Sequence, residues 1–359
     1  MRPFNTPGDI YNATPPRILF GAGTIAQVGA EVERLGARRA LLVSTPGRGA
    51  LAESIGARLG ERFAGVLPEA ISQVPIELAR RGRVRVQELQ ADCLVTVGGG
   101  AAIGLGKAIA LELGIPIIAI PSTYSGSEMT GFCGITIDGV KRMHTSLRML
   151  ASTVIYDPEL TLGLPPAVSA ASAMNALAHC IDAVVVATCS PIIALAAAEG
   201  ARAITASIAR VVKNPGDLEA RGEALFGSYL GGAALTGGFA LQHGVAHVLG
   251  GSFNVPHGLS HALVLPYVAA YHARHAPRAM EPIARAMGVA NADLGGAVFD
   301  LLASLDLPTS LSQIGFDERA LDRAATITIE ADNGENPAPV TFEVVRRILA
   351  DAYHGRRPA

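Results

Sequence analysis

Cys93-Leu-Val-Thr-Val97, running on into Gly98-Gly99-Gly100-Ala101-Ala-Ile-Gly104-Leu-Gly106-Lys107, is the stretch whose reading decides the fold. Its first five residues form a short apolar run with β-branched members, the pattern of a strand buried on both faces. Three glycines then make a tight turn, and a helical pattern follows to Leu113. Outward from this unit the same alternation repeats. Arg39-Ala-Leu-Leu-Val43 reads as a strand ending at Ser44-Thr45-Pro46-Gly47, and a helical pattern covers Ala50 to Phe63. Pro75 opens a helix running to Leu89, and Pro116-Ile-Ile-Ala-Ile120 is a third strand. Asp138-Gly139, set between Gly134-Ile-Thr-Ile137 and Val140-Lys-Arg, reads as a hairpin turn. Val154-Ile-Tyr156 closes this half. Strand, helix, strand in that rhythm predicts βαβ units around a parallel sheet.

Beyond Leu164-Pro-Pro166 alanine becomes frequent and helical periodicity dominates to about Tyr353, so the Pro-Pro pair marks a domain boundary. The expected organisation is an α/β domain over 1–163 and an all-α domain over 164–359, consistent with a length of 359 residues. Lys plus Arg number 29 against 31 Asp plus Glu, and no basic tract appears, which argues against a nucleic-acid partner. Mean hydropathy is positive, at +0.35. The longest strongly apolar stretch, Ala183 to Ala198, nonetheless contains Pro191 and falls short of the ~20 residues of a membrane span. It reads as a buried helical segment. Met1 to Asp9 shows no basic region followed by an apolar one, so no secretory leader is expected. Cys93, Cys133, Cys180 and Cys189 are scattered in apolar contexts, the pattern of free thiols in a cytoplasmic protein.

Two features carry chemistry. The glycine turn leaves backbone N–H groups at a helix start facing whatever approaches, which suits a pyrophosphate. It meets neither common phosphate fingerprint: G-x-G-x-x-G needs glycine where Ile103 stands, and the P-loop pattern needs residues other than Ala101 and Ala108. The same turn also serves plain packing of a helix on a sheet. The second feature is a histidine run. Of nine histidines, four fall within Gln242-His243-Gly-Val-Ala-His247-Val-Leu-Gly-Gly-Ser-Phe-Asn-Val-Pro256-His257-Gly258-Leu-Ser-His261. His243 and His247 share a helix face at i and i+4, and the turn at Pro256 can swing His257 back toward it. Asn175 and His179 repeat the i, i+4 spacing upstream. Clustered imidazoles in an apolar stretch need partners and suit a divalent metal or acid–base work. His272, His275 and His354 read as structural.

These motifs, with Pro121-Ser-Thr123-Tyr124-Ser-Gly-Ser127-Glu128, Tyr156-Asp-Pro-Glu-Leu-Thr161 and Asn336-Pro-Ala-Pro-Val-Thr341, resemble the iron-containing (group III) alcohol dehydrogenase family, and within it the maleylacetate reductases. The resemblance covers nearly the whole chain. It implies a dehydroquinate synthase-like fold: an N-terminal dinucleotide-binding domain with a parallel sheet and an all-α catalytic domain, with the site in the cleft between them. It implies NADH or NADPH as cofactor, held at Ser44, Thr45, Gly98, Gly99, Gly100, Ala101, Thr123, Ser127 and Lys141. A homodimer is implied as well.

The departures from the family are informative. Where the metal-dependent members carry Asp-x-x-x-His, this chain has Asn175-Ala-Leu-Ala-His179, and where they carry an acid after the glycine turn it has Gly104. A set of three imidazoles (His179, His243, His257) and one amide leaves a dication's charge uncompensated, so no obligatory metal is expected. The reaction implied is reduction of the carbon–carbon double bond of maleylacetate to 3-oxoadipate, a step in the breakdown of aromatic compounds. Hydride added β to the ketone makes a delocalised enolate, which asks less of a Lewis acid than a localised alkoxide does. His243 is the expected acid or oxyanion donor, with His257, His247, His179 and Asn175 around it. The substrate is a dicarboxylate, for which Lys107, Arg148, Lys141 and Tyr124 are candidate contacts. Ser44-Thr45-Pro46-Gly47-Arg48 offers no acid against a 2′-phosphate, so either nicotinamide cofactor is admitted. The alternative expectation is an Fe- or Zn-dependent alcohol or hydroxy-acid dehydrogenase of the same family.

Overall fold

The computed structural model describes residues 16–359; the leader reading of Met1 to Asp9 lies outside them. The chain divides into two compact units, the first ending at Leu164 and the second beginning at Pro165.

The first unit contains β1 (Arg17–Phe20), α1 (Val28–Arg34), β2 (Ala40–Ser44), α2 (Gly49–Gly56), β3 (Phe63–Leu67), α3 (Ile76–Glu88), β4 (Cys93–Gly98), α4 (Gly100–Leu113), β5 (Ile117–Pro121), β6 (Phe132–Ile137), β7 (Val140–Thr145) and β8 (Thr153–Tyr156). Six strands pair in the order β1-β8-β5-β4-β2-β3, every pair parallel. The central strands β2, β4 and β5 are buried throughout, which is why their sequences run apolar without alternation. One face of the sheet packs Leu42, Val95, Ile118 and Ile155 against Val28, Val32 and Ile55 of α1 and α2.

Chain direction reverses within this order. The path from β2 leads outward to β3, whereas the path from β4 leads to β5 on the other side. In open α/β sheets the crevice outside the carboxyl ends of two such strands is where ligands bind. Register sets the members of that edge side by side: Ser44 pairs with Val97, and Gly98 with Pro121. The β6–β7 hairpin stands apart from the main sheet. Its turn residues Asp138 and Gly139 both have positive φ (50° and 75°), the geometry an Asp-Gly turn supplies.

Two strands escaped the sequence reading. β1 is a four-residue edge strand, and β3 begins at Phe63, where the helical pattern expected over Ala50 to Phe63 ends. The helix stops at Gly56 and tightens into a 3₁₀ stretch, Ala57–Arg62, that breaks at Gly60 (φ 55°). Four of the five β3 residues are only half-buried, so no apolar run announced it.

The second unit holds α5 (Pro166–Ala183), α6 (Pro191–Lys213), α7 (Leu218–Leu235), α8 (Leu241–Phe253), α9 (His257–His275), α10 (Pro277–Ala286), α11 (Leu294–Ala303), α12 (Leu321–Glu330) and α13 (Phe342–His354). Ala183 to Ala198 is not one helical segment. α5 ends at Ala183, and Pro191 occupies the first position of α6, where its missing N–H costs nothing. By length and composition α6 could cross a membrane, but it packs against α5 and α7 as a core helix of this unit, with 44% of its apolar window buried. Asn254, at φ 57°, ends α8, and Pro256 caps α9, so the chain reverses within three residues and His257 begins the next helix.

Candidate active site

In the first unit the glycine turn has separable causes. Gly98 sits at φ 143°, a conformation closed to side-chain-bearing residues, and a Cβ at Gly99 would lie 2.8 Å from Thr123 Oγ1. Gly100 is different. It is exposed, and its nearest neighbour would be Ser125 at 3.9 Å, so nothing in the protein calls for glycine there. No side chain caps the α4 N-terminus. The first N–H groups of α4, beginning with Gly100 and Ala101, therefore face outward at the positive end of a helix dipole, beside the β2/β4 crevice. Ser44 is buried at the end of β2, and its Oγ makes no hydrogen bond within the protein. Thr45 is half-buried next to it, as is Thr123 beside Gly99. These residues lie along one edge of the sheet.

Of the expected substrate contacts in this unit, Lys107 and Tyr124 are buried and Arg148 is exposed. Lys107 is buried, and its Nζ donates to Ser127 O (2.5 Å), Thr130 Oγ1 (2.9 Å) and Phe132 O (3.0 Å), with Ser127 Oγ at 3.4 Å. It ties the Ser127–Phe132 segment to α4 and has no donor left for a carboxylate. Burial pushes its ammonium down to about 8. Tyr124 is wholly buried. Arg148 is exposed and donates to Leu111 O at 3.5 Å, over the C-terminal end of α4. Eleven residues of helix at ~1.5 Å each put that end roughly 16 Å from Gly100. Lys141 is half-buried on β7, with its stem against Gly134, and burial holds its ammonium below the usual range. Gly104 packs against the hairpin and the chain before α3: a Cβ there would meet Val74 Cγ2 at 2.8 Å and Cys133 Sγ at 3.5 Å. An aspartate does not fit that space.

In the second unit the imidazoles come together. α5 presents Asn175, His179 and Asp182 on one face at i, i+4 and i+7, all buried. α8 contributes His243 and His247, and α9 contributes His257 and His261. Ring centroids lie 5.2 Å apart for His179–His243, 4.9 Å for His243–His261, 5.7 Å for His243–His247, 4.8 Å for His257–His261 and 6.1 Å for His247–His257. His257 is exposed and His247 half-buried, whereas His179, His243 and His261 are buried. Phe239 covers the His243 and His247 rings at 5.4 and 6.2 Å.

Sequence reasoning missed the residue that organises this cluster. Asp182 accepts from His243 Nδ1 at 2.7 Å and from His272 Nε2 at 3.1 Å. It also takes the backbone N–H groups of Ala240 (2.6 Å), Gln242 (3.3 Å) and His243 (3.3 Å). One buried carboxylate thus caps α8 from another helix. Asn336 completes the cap by accepting from Leu241 N at 2.7 Å. Burial works against ionising Asp182, but the hydrogen bonds from His243 and His272 outweigh it and hold the carboxyl well below the usual range. The available signal was its place three residues after His179 on the same helix face. Burial and the neighbouring imidazoles push His179 and His261 well below the ordinary histidine range, so both rings are neutral near pH 7.

The metal set implied by the resemblance falls on Asn175, His179, His243 and His257. Among the described residues, no group of three or more His, Cys, Asp or Glu side chains is spaced to hold a metal ion. The His179 and His243 rings are stacked at 21°, and with Nδ1 of His243 committed to Asp182 its Nε2 is left without a partner in the protein. With a neutral amide at 175 the set offers no anionic ligand, so it leaves a dication's charge uncompensated.

Comparison with known proteins agrees with both halves of this description. Residues 15–158 match the family model for iron-containing alcohol dehydrogenase, and residues 169–353 match that for the C-terminal region of the Fe-containing alcohol dehydrogenase family. A maleylacetate reductase of Burkholderia cepacia is 45% identical over 351 residues, 98% of this chain and 99% of that protein. Another, from Rhizobium sp. (strain MTP-10005), is 40% identical over the full length of both. The crystal structure of maleylacetate reductase from Agrobacterium tumefaciens superposes with a TM-score of 0.93 at 40% identity, covering all of each chain. On sequence and fold together, this chain belongs to the iron-containing alcohol dehydrogenase family.

Proposed function

We propose that this protein reduces the carbon–carbon double bond of maleylacetate, giving 3-oxoadipate, with NADH or NADPH as reductant and without an obligatory metal. The observation that carries the proposal is the histidine cluster: a buried imidazole, His243, tied to an ionised carboxylate among rings that burial keeps neutral, with an amide in place of an anionic metal ligand. Its full-length relatives bearing that activity's name support the same reading.

A bound nicotinamide supplies the hydride. The remaining work falls to the chain's own residues. The bare N–H groups of Gly100 and Ala101, with Ser44, Thr45, Gly98, Gly99, Thr123 and Ser127 along the same edge, suit the phosphates and ribose of a dinucleotide. No acidic side chain stands in Ser44–Arg48 to repel a 2′-phosphate. In the second unit, hydride arriving at the alkene carbon β to the ketone drives the π electrons toward the ketone oxygen. The enolate then takes a proton at the α carbon. His243, entering the step as the imidazolium, gives that proton from Nε2 and is left as the neutral ring with Nδ1–H held by Asp182. The carboxylate holds the ring in the orientation that this transfer needs. The more exposed His247 and His257 link it to solvent for reprotonation.

The test is oxidation of NADH, and of NADPH, with maleylacetate by protein dialysed against a strong chelator. Full activity is expected. Activity lost on chelation and restored by Fe²⁺ or Zn²⁺ would favour the metal-dependent dehydrogenase, and no turnover of maleylacetate under either condition would overturn the proposal.

A further inference from the structure

We infer that Asp182 is a positioning residue for the acid–base chemistry of this site: it fixes the neutral His243 ring as the Nδ1–H tautomer and aims Nε2 as the atom that takes up and hands on the transferred proton. The reaction it serves is the one proposed above, but the tautomer can be read without substrate. The argument is geometric. Backbone N–H groups already donate to both oxygens of Asp182, which therefore acts as an acceptor, so the ring nitrogen 2.7 Å from Oδ2 is the donor. The ring's other nitrogen, Nε2, is buried and makes no hydrogen bond within the protein. In the neutral ring it is therefore a bare acceptor facing the cluster of His179 and His261.

The carboxylate is itself held from several sides. His272 Nε2 donates to Oδ1, and the backbone N–H groups at the start of α8 reach both oxygens. The same side chain therefore sets the entry of α8 and the orientation of its third residue, His243. An imidazole free to flip would present Nδ1 or Nε2 with equal ease. Five donors on one carboxylate leave a single arrangement. His272, read as structural from the sequence, is the second ring of this clamp, and its Nδ1 has no hydrogen-bond partner in the protein.

The decisive experiment is ¹⁵N imidazole NMR of the full-length protein labelled at histidine, with His243 assigned by comparison with His243→Gln. The expected spectrum of the neutral ring shows Nδ1 protonated and Nε2 bare. A neutral ring with its proton on Nε2 and Nδ1 bare overturns the inference, whether or not the protein reduces maleylacetate. Kinetics give the second arm. Asp182→Asn, which keeps the size but lets the amide offer either donor or acceptor, is expected to lower kcat by about 10²- to 10⁴-fold with KM changed less than about threefold. Asp182→Glu, which restores the charge, is expected to recover part of that loss. Asn and Glu variants that fold and are equally impaired mainly in KM, or an Asn variant with wild-type kcat, would overturn it. Should Asp182→Asn not fold, the wild-type tautomer remains the measurement that decides.

Discussion

His243 Nδ1 lies 2.7 Å from Asp182 Oδ2, both side chains are buried, and 61 residues of chain separate them. An imidazole in this setting is held in one orientation by a carboxylate that cannot leave.

His243→Gln should therefore lower turnover of maleylacetate by about 10²- to 10⁴-fold, the usual contribution of a positioned acid. Binding of NADH should stay within about twofold, since the dinucleotide edge belongs to the other unit. Steady-state kinetics together with a fluorescence titration of NADH check both halves.

Gly100→Ala and Gly106→Ala should part folding from cofactor binding. A methyl group at Gly100 meets only Ser125, at ordinary van der Waals distance, and favours the helix by roughly 0.5–1 kcal/mol, so the melting temperature should hold or rise while NADH binding weakens. A methyl group at Gly106 runs into Thr96 Cγ2, so that variant should lose about 1–3 kcal/mol of stability. Thermal melts and cofactor titrations on the two variants give the comparison.

Lys107 predicts a pH signature of stability. Its folded-state value, about 8, lies below the ordinary 10.5, so between these two the unfolded chain binds more protons than the native one. Stability from this group therefore rises as pH climbs from about 8 to 10.5, by an amount on the order of 3 kcal/mol. Lys107→Met should remove that rise, measured as the difference between urea midpoints of the two proteins at pH 7.5 and pH 10.

Arg148→Ala should leave KM for maleylacetate within about twofold, because its guanidinium sits over the C-terminal end of α4. A tenfold rise in KM would return Arg148 to the substrate.

Much of this molecule is legible in its sequence because the signals are local. Buried strands β2, β4 and β5 announce themselves as apolar runs, Asp138-Gly139 dictates a hairpin, and Pro256 after the α8 terminator turns His257 back toward His247. The i, i+4 pairs Asn175–His179 and His243–His247 follow from helix geometry alone. The short strands β1 and β3 were harder: one is a four-residue edge and the other is largely half-buried, so neither needed a continuous apolar run. What only the tertiary structure decided is how distant side chains are paired. Lys107 could be read as a free cation until Thr130 and the carbonyls of Ser127 and Phe132 closed around its ammonium. Asp182 carried no motif at all. Its role arises because α5 packs against α8 and α9, bringing one carboxylate to a helix start and two imidazoles, and buried polar groups must find their partners wherever that packing places them.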